Sequence, residues 1–133
     1  MTQELLVLTL LALFASSMWV PYIIGVNMHP TEPEGDFLRP PDLRKFPQWV
    51  HRAHRAHLNL IESALPFAVV VLVAHQVGVS TTTTVAAAWV FLGLRLVHAV
   101  GMISGITQFP ARSIIFTLSW IATLVIGISI LAA

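Results

Sequence analysis

Arg52-Ala-His-Arg55-Ala-His-Leu58-Asn59-Leu-Ile-Glu62-Ser-Ala-Leu-Pro66 runs without a break into Phe67-Ala-Val-Val-Val-Leu-Val-Ala74. At 100° per residue, Arg52, Arg55, Asn59 and Glu62 fall in one stripe about 80° wide. The rest of that helix is mostly Leu, Ile, Ala and Val. The whole stretch is long enough to cross ~30 Å of hydrocarbon. A polar stripe on such a helix cannot face lipid, so it must meet other helices. The stretch therefore predicts a membrane bundle, not a lone anchor.

Working outward, three more apolar stretches follow the same rule: about 5–26, 85–106 and 113–133. Backbone groups in lipid have to be satisfied internally, which favours helices. No run alternates as barrel strands do. The composition agrees. Of 133 residues, 56% are hydrophobic and 10% charged, with mean hydropathy +0.82. Soluble domains carry about 25% charged residues, and disorder needs low hydrophobicity with high charge. Both classes are excluded. The expected fold is all-α, an integral membrane four-helix bundle in a single domain over 1–133. Its helices are expected at about 4–26, 48–77, 82–104 and 111–132, with a proline-rich loop at 27–47.

The first stretch begins Met1-Thr-Gln-Glu4 with no Lys or Arg, and its apolar run exceeds a signal peptide's core, so it is expected to be a retained helix. Pro21 kinks it near its far end or marks its exit. The first loop holds five of the eight prolines and four of the six acids and is expected to lack regular structure. Ser80 or Thr81 caps the third helix, and Pro110 sits near the start of the fourth. The cations Arg39, Arg44, Lys45, Arg52, Arg55, Arg95 and Arg112 cluster toward loops one and three. The positive-inside rule places those loops in the cytoplasm and both termini outside. A net charge of +1 gives no reason to expect a nucleic-acid partner. The absence of cysteine removes disulfides and protein thiols.

Chemistry is expected where the stripe meets the third helix. Arg95 and His98 share a face there, three residues apart. Glu62 lies about 15 Å past Arg52, and Arg95 lies about 15 Å before the third loop. The two charges are expected to pair or to share a hydrogen-bond network. Asn59 and His98 lie nearer the loop end, with Arg112 and Ser113 at the mouth. One Glu does not neutralise Arg52, Arg55, Arg95 and Arg112, so the pocket calls for an anionic ligand. The bland alternative is that these groups only fix helix register. His51, His54 and His57 diverge around their helix, at about 0°, −60° and −120°, so no metal site is expected.

The run from Arg52 to Pro66 resembles the second-helix signature of the MAPEG family (membrane-associated proteins in eicosanoid and glutathione metabolism). Arg95-Leu-Val-His98 looks like its third-helix motif, and Phe109-Pro110-Ala-Arg112-Ser113 its fourth-helix entry. The resemblance covers nearly the whole chain, and bacterial-type members without an assigned substrate look closest overall, which fits a bacterial inner membrane. It implies a homotrimer with glutathione between subunits in the cytoplasmic half. Arg52, Arg55, Asn59, Glu62, Arg95 and His98 would form the polar pocket, Arg95 acting through Glu62. Arg112 and Ser113 would face the thiol as catalytic residues. The implied reaction is a glutathione-dependent transferase or peroxidase step on a hydrophobic electrophile arriving from membrane lipids. The chain departs from catalytic members at Leu58, where they usually carry a basic residue, and at Met102 and Phe116, where they carry tyrosines. Two further readings stay open: a non-catalytic membrane protein binding a lipid or fatty-acid-like ligand, and a structural subunit of a larger membrane assembly.

Overall fold

A computed structural model describes residues 1–29, 42–106 and 111–133. The proline-rich body of the first loop, with Arg39, and the predicted helix-opening Pro110 lie outside the described residues. The described residues are all helical apart from turns: α1 Gln3–Ser17, α2 Val20–Met28, α3 Gln48–Gln76, α4 Thr82–Ser104 and α5 Ala111–Leu131. Four helical segments are long and apolar enough to cross a membrane, with α1 and α2 together forming the first.

The first span breaks at Met18–Trp19, and Pro21 lies in the opening turn of α2. Proline is tolerated there because the first-turn N–H groups have no helical partner. Pro21 thus marks a kink, and the chain stays helical to Met28. The described end of the first loop is not wholly irregular, since Leu43–Lys45 forms a 3-10 turn opened by Asp42. There the Arg44 guanidinium folds back onto the Asp42 carboxylate at 3.1 and 3.3 Å. The contact holds the Asp42 carboxyl below its usual range and takes one cation out of the pool.

Thr81, not Ser80, caps α4. Its Oγ1 accepts from the Thr84 N–H at 3.2 Å, and Thr84 Oγ1 accepts in return from the Thr81 N–H at 2.8 Å. Gly105 closes the helix with φ +87°, a left-handed conformation that glycine adopts without a Cβ penalty.

The inward faces of all four spans supply the core, including Leu11, Leu60, Phe67, Phe91 and Ile126. The Phe67 and Phe91 rings stack 3.9 Å apart and nearly parallel, locking α3 to α4. Many outward side chains are apolar and exposed, such as Leu65, Val100 and Ile128, as a lipid-facing surface requires.

The α2–α3 crossing depends on Gly25. A Cβ there would lie 2.6 Å from Val50 Cγ2 and 2.8 Å from the Trp49 ring. Valine is stiff at χ1, so little can give. Gly25→Ala is expected to lower stability by about 1–3 kcal/mol, read as a fall in the melting midpoint in detergent. Gly93→Ala, where an added Cβ meets nothing within 4 Å, is the control and should be neutral or better.

Candidate functional site

Arg95 is 1% exposed in the middle of a four-helix membrane protein. Such a charge needs dense partnering. Nη1 donates to Asn59 Oδ1 at 3.1 Å and to Ser63 Oγ at 3.2 Å, both on α3. Nη2 donates to Ser119 Oγ on α5. The two serines can accept because their own hydrogens go elsewhere. Ser63 Oγ lies 2.8 Å from the Asn59 carbonyl and Ser119 Oγ 2.9 Å from that of Ile115, so each hydroxyl donates back into its own helix. Each then turns lone pairs toward the guanidinium. Phe91 and Phe116 flank the cation, 5.7 and 5.2 Å from Cζ to the ring centroids, a favourable cation–π geometry. One side chain therefore ties three helices together.

The expected direct Glu62–Arg95 pair does not form. Among the described residues Glu62 makes no ion pair or hydrogen bond to Arg95, and its side chain is exposed. Helix geometry gives the reason. Asn59 and Ser63, four apart, share the face that meets α4, whereas Glu62 lies about 100° from Ser63. Depth alone could not separate two neighbours on opposite sides of that face. Asn59 in turn meets Arg95 directly, through its side-chain oxygen.

The polar stripe of α3 also divides along its length. Arg52 Nε reaches the Ile103 carbonyl at 3.4 Å, and its guanidinium packs against Gly105, where a Cβ would sit 3.2 Å from Nη2. A cation at the last turn of α4 complements the helix dipole. Arg55 is exposed on the outer face of α3.

Two cavities adjoin these groups. One, of about 400 Å³, lies between α4 and α5 at the end where the first and third loops emerge, and His98, Met102 and Arg112 line it. His98 is 5% exposed, and Arg112 is exposed at the rim. Ser113, the next residue, is exposed and is not part of the wall. The second, of about 390 Å³, lies between α3, α4 and α5, with Glu62, Ser63, Arg95, Phe116 and Trp120 among its lining. Pro66 borders it as well. Lacking an N–H, Pro66 leaves the Glu62 carbonyl without its intrahelical donor, which adds an acceptor to this region.

The structure thus joins His98 with Arg112, and Asn59 with Arg95. It places Glu62 on the wall of the Arg95 cavity and leaves Arg52 at a helix terminus and Arg55 open. Sequence reasoning missed Ser63 and Ser119. Ser63 carried a usable signal, standing four residues after Asn59. Ser119 is one of several hydroxyl residues in an apolar span, and nothing local distinguishes it. Among the described residues no three His or acidic side chains gather as a metal site would require.

A family model described as the MAPEG family matches residues 6–132. No curated protein matches the sequence.

Proposed function

The chain belongs to the MAPEG family, and from that premise we propose that it is a glutathione-dependent transferase or peroxidase acting on hydrophobic electrophiles. The observation that supports this most directly is the His98–Arg112 cavity. It is partly open, walled mainly by apolar side chains, and carries one cation, Arg112, in its lining. Its size falls in the range of small-molecule sites. Arg52, Arg95 and Arg44 are each engaged within the protein. Among the described residues Arg112 and Arg55 make no ion pair, which leaves both available to meet an anion.

In this reading the basic end faces the cytoplasm of a bacterial inner membrane. Three copies assemble, so that Arg55 and Glu62 on the outer face of α3 complete the pocket opened by Arg112. A charged pair left bare on a lipid-facing helix would be strongly disfavoured, which supports a covering neighbour. Arg112 lowers the pKa of a thiol beside it and so favours the thiolate, and the Ser113 hydroxyl donates to the sulfur. Glutathione held there would supply a thiolate nucleophile for an electrophile that carries its own leaving group. Met102 lines the cavity and Phe116 covers Arg95, so the thiolate is held by charge and not by ring hydroxyls.

Titration calorimetry tests the proposal. Glutathione is expected to bind with a dissociation constant of about 1 mM or below, near −4 kcal/mol, and to raise the melting midpoint. The absence of both binding and heat protection at that concentration defeats the glutathione reading.

A second reading has its own observation. The Arg95 cavity is walled by Phe91, Phe116, Trp120 and Leu124, which suits an acyl chain. A non-catalytic protein binding a fatty-acid-like ligand would show that chain in density and no turnover with thiol.

A further inference from the structure

The last four carbonyls of a helix have no intrahelical donor. In α4 they belong to Gly101, Met102, Ile103 and Ser104. Two of them are met locally. The Ser104 hydroxyl shares its hydrogen between the carbonyls of Val100 and Gly101, at 2.8 and 3.2 Å. The Gly105 N–H donates to the Met102 carbonyl at 3.3 Å. The Ile103 carbonyl is met from another span. Its donor is Arg52 Nε on α3, at 3.4 Å and 51 residues away in the chain.

Gly105 makes room for this donor. Its φ of +87° turns the chain out of the helix. Having no side chain, it also lets the guanidinium lie against the backbone, where a Cβ would sit 3.2 Å from Nη2 and 3.3 Å from Cζ. Glycine is therefore required here twice, once by conformation and once by the approach of Arg52. The arginine acts as a helix cap supplied across the bundle.

The turn it caps is also a wall of the His98–Arg112 cavity. Val100, Gly101, Met102 and Ile106 all line that space. Arg52 itself lines neither this cavity nor the one beside Arg95. A helix end whose carbonyls are unmet frays, and fraying here would carry those four residues with it. His98 lies more than a turn deeper in α4, and Arg112 belongs to α5, so neither rides on the last turn.

We propose, resting on the glutathione-dependent reading above, that Arg52 is a positioning residue. It holds the end of α4 in place as the apolar wall against which the electrophile rests, and it is not a ligand for glutathione. The proposal predicts a split among the kinetic constants. Losing the cap loosens the wall and weakens the hold on the electrophile. The effect of Arg112 on the thiol is left intact.

The test uses the purified full chain in detergent, with chlorodinitrobenzene as the apolar electrophile. Arg52→Ala is expected to raise KM for that electrophile by about 3–10-fold, the size of one lost hydrogen bond. The glutathione dissociation constant, kcat and the pH–rate profile should stay within about twofold of the parent. Arg52→Lys keeps a charged donor without the planar fork and should recover part of the loss. Hydrogen exchange supplies a readout independent of turnover. The amides of Ile103, Ser104 and Gly105 should exchange about 3–10-fold faster in Arg52→Ala, while those of residues 86–91 in the same helix stay unchanged. If Arg52→Ala does not fold, Gly105→Ala, whose Cβ crowds the guanidinium, is read in the same way. A rise in the glutathione dissociation constant equal to that in KM makes Arg52 a ligand and overturns the proposal. Unchanged exchange at residues 103–105, or exchange raised equally along all of α4, overturns it too. If the parent protein neither binds glutathione nor turns over the electrophile, the glutathione reading fails by itself, and the exchange comparison still decides whether Arg52 holds the wall.

Discussion

Arg95→Ala should lower stability by about 3–5 kcal/mol and shift the melting midpoint in detergent by roughly 10 °C or more. Three acceptors, Asn59 Oδ1, Ser63 Oγ and Ser119 Oγ, lose their donor together. Each buried acceptor left unsatisfied costs about 1–3 kcal/mol. The two phenyl rings flanking the guanidinium would face a void, which adds a cavity term. Arg95→Met separates these contributions. It fills most of the volume and removes the buried charge, so it should cost less than alanine while still orphaning the acceptors. Glu62→Gln is the informative contrast. Glu62 makes no hydrogen bond or ion pair to Arg95, so its change should move the midpoint far less than Arg95→Met. Equal losses from Glu62→Gln and Arg95→Met would mean that the two charges do pair.

Arg112→Ala should reduce kcat with a hydrophobic electrophile by about 100-fold, a magnitude typical of losing one group that stabilises developing charge. The mechanism predicts how the loss is distributed. On the proposed mechanism Arg112 acts on the thiolate, so its removal should raise the thiol pKa and move the pH–rate profile to higher pH. Activity lost at neutral pH should return in part as pH rises. Arg112→Lys retains a positive charge but not the planar fork, and should restore part of the rate. A variant that weakens glutathione binding without moving the pH profile would make Arg112 a tether for the peptide and not a modulator of its sulfur.

The fold was legible because membrane spans impose the simplest of sequence rules. About twenty apolar residues are needed per crossing, and four such stretches are visible without any partner information. The cap of α4 was readable to within one residue, Ser80 or Thr81, as local backbone chemistry. The kink at Met18–Trp19 could be placed only near Pro21, since proline within the first turn and proline within a helix have the same local sequence.

The site was legible in part. That Arg95 must be buried and partnered followed from its place in an apolar helix. Which partners it takes did not, because helical phase fixes directions on one helix but not the rotation of its neighbour. Asn59 and Ser63 face α4, Glu62 does not, and a rotation of α3 by less than one residue's angle would reverse that choice. Ser119 illustrates the same gap, since a serine that returns its hydrogen to its own helix looks unremarkable until a donor arrives from another span. Glu4 escaped notice for a different reason. An acid at the first turn of a helix normally answers the dipole, and only the long-range approach of Ser80 and Thr84 shows that it is enclosed.

The most direct test of the thiol site is a structure of the protein in lipid nanodiscs with glutathione. The account predicts density for the tripeptide with its sulfur beside Arg112 and Ser113, and with Arg55 and Glu62 of a neighbouring copy closing over it. Glutathione bound elsewhere, or the His98–Arg112 cavity filled by an acyl chain that thiol does not displace, would contradict it.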